Sequence, residues 1–351
     1  MNKLIVGLPD KTDLLLQLLD YSVGVTIIDP TGDFAKAAAN ILPKPLTEQA
    51  IFFDATDTEH PIGLNVLKDV PKDNRQLLTE QLCACFDAMF AEGPTTLTRA
   101  NANYYLANCL RLLLDNDQSL LGILKLLTDP SFRDTLECTD PIVAAFWLTV
   151  AKWDRKQRAT NFAPLLNRMG LFLMSPTIRN IVGQPKTTFD APIVIANLDR
   201  AKLGDTTSRL LGGLLIAQSR GPVVIVDYGF FRFPLPLAEN RFTVSLNILD
   251  DARDQRPHLM GIAEKFVMAV TKWDAEELSF YLGVSNPRVL IDLDATTAYT
   301  HSGDFTPERP ASLKRLGPLK KRTKACHTSA RAEVERHVLK TLLGGRHASE
   351  K

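Results

Sequence analysis

The sequence predicts an α/β protein in which a mainly parallel β-sheet is interrupted by one all-helical insertion. Short, continuous apolar runs recur between residues 3 and 54 and again after residue 190, as is typical of strands buried on both faces. Helical segments separate many of these runs, and strands that alternate with helices indicate parallel βαβ units. Between residues 71 and 181 the apolar residues recur at helical spacing instead.

The first unit of the predicted sheet consists of a strand, a turn, a helix and a second strand. An apolar run opens the chain, a turn with Gly7 and Pro9 follows it, and the second strand ends at Asp29. A short helix after Asp33 and a third strand at 50–54 continue the alternation. This order of elements predicts successive βαβ units at the start of the chain.

The middle of the chain, about a hundred residues, is predicted to be the helical insertion because it contains amphipathic segments without strand-like alternation. The strand pattern returns in five apolar runs, at 191–198, 222–227, 242–249, 266–270 and 289–293. We therefore predict a discontinuous sheet domain, an all-α domain, a basic proline-containing linker and a C-terminal helix. Their expected ranges are 1–70 with 185–302, then 71–184, 303–328 and 329–344.

The composition, with 45% hydrophobic and 23% charged residues, is ordinary for a soluble globular protein. The net charge of +1 conceals a basic tail, because residues 301–351 contain 12 Lys and Arg against 5 Asp and Glu. The five cysteines form no C-x-x-C pair and the six histidines form no cluster, so we expect neither a disulfide framework nor a metal site. No apolar run reaches the roughly 18 residues of a membrane helix and no signal-peptide pattern is present, which predicts a cytoplasmic protein.

The turn after the first strand has the outline of a phosphate-binding P-loop. In the pattern G-x-x-x-x-G-K-[ST], backbone N–H groups surround the phosphates, while Lys and Ser/Thr meet phosphate and Mg²⁺. This chain has Gly7, Lys11 and Thr12, but its loop is shorter and lacks the second glycine. Pro9 has no N–H to donate, and Asp10 adds negative charge where a phosphate would lie. The alternative is an ordinary loop that leads into a helix.

A second feature related to nucleotide binding is the strand at 222–227, which ends in Asp227. P-loop ATPases hold Mg²⁺ with an Asp at such a strand end, and an adjacent Glu polarises the attacking water. Here the adjacent residue is Tyr228, which has no carboxylate to act as a base at neutral pH. Many buried strands end in Asp, so this feature indicates P-loop ancestry only in combination with the first turn.

Taken in order, these segments resemble the HerA–FtsK superfamily of ring-forming, DNA-pumping ATPases. The similarity is to the soluble part of conjugative (type IV secretion) coupling proteins, and it extends over essentially the whole chain. The stretches that carry it are Ile27–Asp33 (IIDPTGD), Ile51–Asp54 with Pro61–Asn65, Leu126–Arg133, Ser175–Gln184, Ile195–Leu198 with Leu211 and Gly212, and Ala330–His337. The resemblance implies a RecA-like (P-loop NTPase-like) sheet, DNA as a partner and a homo-oligomeric ring.

The chain departs from this family at the positions that surround the γ-phosphate. Gly7–Thr12 replaces the P-loop, and Tyr228 replaces the catalytic glutamate. Where the family usually has a phosphate-sensing Gln, we expect Asp250 and Asp251 after a strand that ends at Leu249. The departures predict a pseudo-ATPase that keeps the translocase scaffold without competent nucleotide chemistry.

A few residues remain as candidates for a nucleotide site. No cofactor is expected, and any residual binding of ATP and Mg²⁺ would fall to Gly7, Lys11, Thr12 and Asp227. Arg179 is either a trans-acting arginine finger in a ring or a surface residue that caps a helix end. Asp227 and Arg179 are therefore the candidate catalytic remnants.

The basic residues of the tail are candidates for binding DNA phosphates, and a solvated surface is the alternative. They are Lys314, Arg315, Lys320, Lys321, Arg322 and Lys324, and no aromatic residue lies among them for base stacking. The leading hypothesis is a pseudo-ATPase that assembles on DNA, on an active ATPase or on another secretion or conjugation protein. Two alternatives stay open, namely a divergent but active ATPase motor for DNA translocation and a non-catalytic structural adaptor.

Overall fold

The computed structural model describes residues 2–89, 96–185, 191–231, 235, 239, 241–308 and 310–343. Contacts within the chain divide it into two compact units. Unit 1 comprises residues 1–56 and 191–323, and unit 2 comprises residues 57–190 and 324–351.

The strands in the described part of the chain are β1 (Lys3–Val6), β2 (Val25–Asp29), β3 (Ala50–Asp54), β4 (Ile193–Asn197), β5 (Val223–Ile225), β6 (Phe242–Leu246), β7 (Glu264–Val267), β8 (Ala298–Thr300) and β9 (Gly303–Phe305). The first helices in chain order are α1 (Thr12–Gln17), α2 (Asp33–Ile41), α3 (Arg75–Met89), α4 (Thr96–Asp115), α5 (Gly122–Thr128), α6 (Pro130–Asp134), α7 (Pro141–Ala151), α8 (Arg155–Met174) and α9 (Pro176–Val182). The remaining helices are α10 (Arg200–Leu203), α11 (Asp205–Gln218), α12 (Tyr228–Phe231), α13 (Arg256–Met260), α14 (Lys272–Leu282), α15 (Arg288–Ile291), α16 (Leu316–His327) and α17 (Arg331–Leu343).

Unit 1 is built on a single sheet with the strand order β3-β4-β2-β5-β6-β1-β7-β8-β9. The strands from β3 to β7 in this order run parallel, and β8 and β9 are added antiparallel. Every residue of β2 and β4 is buried, in agreement with the continuous apolar runs of the sequence. The carboxyl ends of the parallel strands therefore meet along one edge of the sheet.

One face of this sheet is covered by α1, α2 and part of α16. Leu15 of α1, Phe34 of α2 and Leu319 of α16 belong to one buried apolar cluster with Ile27 and Phe52 of the strands. Alternate strand residues point to the same face, so Val25 and Ile27 of β2 both contribute to this apolar cluster. Each fully buried side chain of this size contributes about 1.5–3 kcal/mol to stability.

Unit 2 contains the predicted helical insertion. Aspartate N-caps begin α7 at Asp140 and α8 at Asp154, and Asp154 forms a capping box with Gln157. The half-buried ring of Tyr105 packs against two buried rings, with centroid distances of 5.9 Å to Phe146 and 5.6 Å to Phe162. These aromatic residues pack as a core, as their helical spacing predicts. None of the helices in the described ranges is long and apolar enough to cross a membrane.

Residues 57–70 group with the helical unit, although the sequence suggested that they close the first part of the sheet domain. The reason is hydrogen bonding to α9: the Leu64 N–H donates to the Ile181 carbonyl at 2.9 Å. In addition, Nε2 of Gln184, just beyond α9, donates to the Pro61 carbonyl at 3.1 Å. Helix α17 also belongs to this unit and packs against α5 and α9.

The stretch at 303–328, expected to be a linker, instead contains strand β9 and helix α16. Pro318 is the third residue of α16, and a proline is tolerated there because the first N–H groups of a helix have no intrahelical acceptor. Leu319 and Thr323, one turn apart, are both buried, so α16 has a face that packs on unit 1. Three prolines suggested a linker, but Pro307 and Pro310 precede α16 and Pro318 lies in its first turn.

The predicted strand at 289–293 is also wrong, because Arg288–Ile291 forms the short helix α15. Leu290 is its fully buried residue, and a short apolar run can fit a strand or one turn of helix equally well. The strand next to β7 is β8, which pairs with it antiparallel.

Candidate functional site

The carboxyl edge of the parallel strands collects polar side chains from distant parts of the sequence. Asp29, Asp54 and Asn197 end β2, β3 and β4, while Asp227 follows β5 and Asn247 follows β6. In open α/β sheets, ligands bind outside the carboxyl ends of the strands where the chain connections diverge. The connections diverge in this way next to β1. The chain leaves β1 towards β2 on one side of the sheet order, whereas the chain that leaves β6 passes β1 and reaches β7 on the other side.

Gly7 begins the loop that follows β1, and this position requires glycine. Its φ of +155° is one that L side chains rarely adopt, and an added Cβ would lie 2.7 Å from Cβ of Met268. The Gly7 N–H donates to the Leu246 carbonyl at 3.1 Å, and the Leu8 N–H donates to the Ala269 carbonyl at 2.9 Å. The start of the loop is therefore bound to the end of β6 and to the segment that follows β7.

Lys11 lies at the end of this loop and turns its ammonium group back into it. The side chain is buried, and Nζ donates to the Gly7 carbonyl at 2.5 Å, to the Pro9 carbonyl at 3.2 Å and to Oδ1 of Asn247 at 2.9 Å. Burial lowers the pKa of Lys11, and the negative charges of Asp227 and Asp10 oppose that effect. An ammonium group has three protons, and each of them has an acceptor here.

Thr12 is engaged in the same way. Its N–H and its hydroxyl both donate to Oδ1 of Asp10, at 2.9 and 2.6 Å. Pro9 has no N–H, and the N–H groups of Gly7 and Leu8 are bonded to other segments. Together with Thr12, four of the six positions from 7 to 12 therefore offer no main-chain donor to a phosphate. The loop therefore lacks the cradle of N–H groups that a P-loop uses.

Asp227 stands opposite Lys11, with Asn247 between them. Nδ2 of Asn247 donates to Oδ1 of Asp227 at 3.3 Å, so one amide side chain joins the loop of β1 to the end of β5. Strand β6 separates β1 from β5, which explains why a residue that follows β6 makes this bridge. Asp227 itself has a φ of +52°, and its N–H donates to the hydroxyl of Ser245 at 3.0 Å.

The carboxylate of Asp227 also faces Arg200, whose Nη1 lies 3.6 Å from Oδ2. Burial raises the pKa of Asp227, and the nearby charges of Asp251 and Asp29 act in the same direction. Arg200 and Lys11 oppose this effect. The guanidinium of Arg200 is therefore a positive counter-charge to the carboxylate of Asp227 in this structure.

Arg200 was not predicted as a site residue, and its position is fixed by a neighbouring ring. Its Cζ lies 4.9 Å from the centroid of Phe230, and Cζ of Arg209 lies 4.8 Å from the same centroid. Nε of Arg209 donates to the Phe230 carbonyl at 2.8 Å. Cation–π contacts of this kind need an aromatic residue close to the strand end. In the sequence, the two phenylalanines of Gly229-Phe-Phe after Tyr228 were the only sign that an arginine could be held there.

Tyr228, at the predicted position of the catalytic glutamate, is almost completely buried. Burial raises the pKa of its phenol, so the side chain stays neutral. A neutral, buried phenol does not replace a carboxylate that activates water.

The strand that precedes the expected phosphate-sensing position ends earlier than the sequence predicted. Strand β6 ends at Leu246 rather than Leu249, so Asn247 stands at the strand end and Asp250 and Asp251 come later. Asp250 lies 3.6 Å from Nη1 of Arg256 and not against Lys11. Asn247 continues the polar positions of the alternating run, after Thr243 and Ser245, so the sequence does not mark it as the residue that follows the strand.

The signature Ile27–Asp33 has a structural role at this edge. The fully buried carboxylate of Asp29 accepts the N–H and hydroxyl of Thr31, at 2.8 and 2.7 Å, and the N–H of Ala35 at 2.9 Å. Gly32 has a φ of +81°, and an added Cβ would lie 2.4 Å from Oδ1 of Asn197. These contacts shape the turn from β2 into α2.

Arg179 lies in unit 2. Its Nη1 donates at 3.1 Å to the carbonyl of Leu173, next to the end of α8. The last carbonyls of a helix lack intrahelical donors, so this contact is a helix cap, which was the alternative to an arginine finger.

The six basic residues of the tail differ in their hydrogen bonds and in their exposure. Nζ of Lys320 donates to Oδ2 of Asp54 at 2.6 Å, and Nη1 of Arg322 donates to the Ala50 carbonyl at 2.7 Å. Arg315 is partly buried. Lys314, Lys321 and Lys324 are exposed.

The polar side chains at the strand ends are bonded to one another and to the loop after β1. Lys11 and Thr12 are bonded within their own loop, and Asp227 is paired with Asn247 and Arg200. In the described ranges, no three His, Cys, Asp or Glu side chains are grouped so that they could hold a metal ion.

The parallel strands and their polar carboxyl edge define an α/β protein of the RecA-like, P-loop NTPase-like class. The sequence matches no protein-family model and no curated protein. Among solved structures, the chain is similar to the bacterial conjugative coupling protein TrwBΔN70 in its unbound monoclinic form, with a TM-score of 0.58 and 13% identity over 90% of this chain and 86% of that one. It is also similar to VirB4 of Thermoanaerobacter pseudethanolicus, with a TM-score of 0.54 and 13% identity over 90% of each chain. These similarities confirm the predicted fold and its resemblance to conjugative coupling proteins.

Proposed function

We propose that this protein is a catalytically impaired relative of the conjugative coupling and secretion ATPases, and that it acts as a DNA-binding or partner-binding assembly component. The observation that carries the proposal is the chain of contacts from Lys11 through Asn247 to Asp227 and Arg200. Each polar group that a nucleotide and its Mg²⁺ would need already has a partner within the protein. The similarity of the fold to TrwB and VirB4 supports the relationship.

The magnitudes favour impairment. Catalysis of phosphoryl transfer rests almost entirely on positioning and charge stabilisation, so the loss of the N–H cradle and of the base removes most of it. For Lys11 to bind a phosphate, at least one of its three present hydrogen bonds must break, and each hydrogen bond to a charged group is worth about 1.5–3 kcal/mol. Mg²⁺ would in addition have to displace Arg200 from Asp227.

Nucleotide hydrolysis by the purified protein tests this proposal. With ATP and Mg²⁺ we expect phosphate release at the rate of the Lys11→Met and Asp227→Asn variants, which serve as matched controls. Hydrolysis above that rate, lost in either variant, would refute the proposal. Circular dichroism of each variant establishes that it is folded.

The same experiment distinguishes the second candidate, a divergent active ATPase motor for DNA translocation. The observation in its favour is that Lys11, Thr12 and Asp227 lie at the ends of strands in one sheet, and that Asn247 links Lys11 to Asp227. An activity that depends on Lys11 would establish this candidate. A purely structural adaptor, in contrast, would bind neither nucleotide nor DNA at low salt.

The proposed partners are DNA and an active ATPase or another secretion or conjugation protein, and the proposed assembly is a homo-oligomeric ring. Exposed Lys314, Lys321 and Lys324 are the cations that DNA phosphates could reach. If they bind DNA, their replacement by Gln lowers the dependence of affinity on salt, whereas an unchanged dependence removes the tail from DNA binding. Light scattering after size exclusion measures whether the protein forms a ring with or without DNA.

A further inference from the structure

Strand β3 is one of the two outer strands in the strand order given above, and its neighbour in the sheet is β4. Its sequence, Ala50-Ile-Phe-Phe-Asp54, is apolar and rich in residues that favour strands. An edge strand of this kind presents unpaired N–H and C=O groups that can pair with another chain, and natural proteins cover such edges. The contacts on this side of β3 therefore decide how the sheet ends.

Helix α16 supplies hydrogen bonds to this edge from its side chains. The N–H of Phe52 donates to Oγ1 of Thr323 at 3.1 Å, and Nη1 of Arg322 donates to the Ala50 carbonyl at 2.7 Å. The second nitrogen of the Arg322 guanidinium, Nη2, donates to the Glu48 carbonyl, just before the strand. Thr323 is buried, so its hydroxyl bonds the Phe52 N–H out of contact with water.

Two further contacts hold α16 in this place. Lys320 donates to Asp54 at 2.6 Å, and its Nζ lies 4.9 Å from the centroid of the Phe52 ring. Burial alone would raise the pKa of Asp54, but the hydrogen bonds from Lys320 and Thr56 outweigh burial and lower it. Leu319 is fully buried in the apolar cluster beneath the helix.

We propose that α16 is an edge strap, which closes the sheet at β3 with side-chain hydrogen bonds in place of a tenth strand. The strap consists of Leu319, Lys320, Arg322 and Thr323. It withdraws Lys320 and Arg322 from the basic residues that could bind phosphates. Without the strap, β3 becomes a template on which a second copy of this chain pairs its own β3.

The Phe52 amide gives the most direct test. In Thr323→Val the side chain keeps its shape and loses the hydroxyl, so exchange of the Phe52 amide hydrogen accelerates by about tenfold or more. Thr323→Ser keeps the hydroxyl and is the matched control, in which exchange stays near the wild-type rate. Equal exchange in the wild type and in Thr323→Val overturns the proposal, and this single isosteric change is small enough to keep the fold.

Self-association tests the second part. The double variant Lys320→Met/Arg322→Met removes the strap contacts of both side chains, and Lys321→Met/Lys324→Met removes the same charge from exposed positions of the same helix. We expect the mass of the first variant to rise with concentration in light scattering, with increased amide exchange in β3, while the second variant keeps the wild-type mass. Wild-type mass and exchange in both variants would show that α16 is not an edge strap.

Discussion

Replacement of Gly7 by alanine tests whether the loop after β1 has one fixed shape. At a φ of +155° a non-glycine residue is strained by about 1–3 kcal/mol. The new Cβ would lie 2.7 Å from Cβ of Met268, which is bonded to the backbone and cannot turn aside, and overpacking of this kind costs about 1–3 kcal/mol. We therefore expect Gly7→Ala to lower the free energy of unfolding by about 2–6 kcal/mol.

Two other glycines separate strain from collision. Gly283, at the end of α14, has a φ of +69° and open space around its Cβ position, so Gly283→Ala should cost about 1–2 kcal/mol from strain alone. Gly170, inside α8, has open space and is helical, so Gly170→Ala should stabilise by about 0.5–1 kcal/mol.

Amide exchange in β1 and β6 measures the effect of Gly7→Ala and Gly283→Ala on unit 1, and exchange in α8 measures that of Gly170→Ala on unit 2. Urea unfolding followed by circular dichroism gives the global midpoint for each variant. A cost for Gly7→Ala no greater than that for Gly283→Ala would show that the loop can move away from Met268. The conclusion that contacts with Met268 hold the loop in its present shape would then fail.

Three further predictions concern single contacts. The folded-state pKa of Asp227 is raised above 3.8, so its contribution to stability is complete below that pH and is lost as pH rises through the folded-state pKa. The variant Asp227→Asn should not show this loss of stability. If the difference in free energy of unfolding between variant and wild type is the same at pH 3 and pH 7, the prediction is contradicted. Asn247→Leu should destabilise unit 1 by about 1–3 kcal/mol because Lys11 and Asp227 each lose a partner, and an unchanged urea midpoint would exclude the bridge. Asp154→Ala should cost unit 2 about 1 kcal/mol through loss of the α8 N-cap, measured by amide exchange in α8, with no comparable change for the exposed Lys156→Ala.

The parallel sheet could be predicted from the sequence because its strands are buried on both faces and therefore form continuous apolar runs. The same property made the strand boundaries hard to predict. Nothing in the run 242–249 marks Leu246 as the last strand residue, so the position of Asn247 directly after the strand was not predicted. The run at 289–293 was too short to distinguish a strand from the helix α15. The fold was thus predictable from patterns of burial, and strand ends less so.

The candidate site was only partly predictable, because its pairings are between residues distant in the sequence. Lys11, Thr12 and Asp227 were identified from local motifs, and the structure places them at one edge of the sheet. Asn247 and Arg200 complete the set of contacts, and neither lies in the local motifs that identified Lys11, Thr12 and Asp227. The role of Thr323 at β3 depends on a contact across 271 positions of the chain, which no local pattern contains.

The features retained by this chain differ in kind from those it lacks. Asp29 and Gly32 shape the turn from β2 to α2 through buried contacts, so they are needed for folding whether or not a ligand binds. A second P-loop glycine and a catalytic glutamate serve the nucleotide, and their absence leaves the sheet intact. Lys11 has contacts of both kinds: it is typical of a phosphate site, yet it bonds its own loop and Asn247. Its presence is therefore explained by structure, and Lys11 alone is no evidence that the protein hydrolyses ATP.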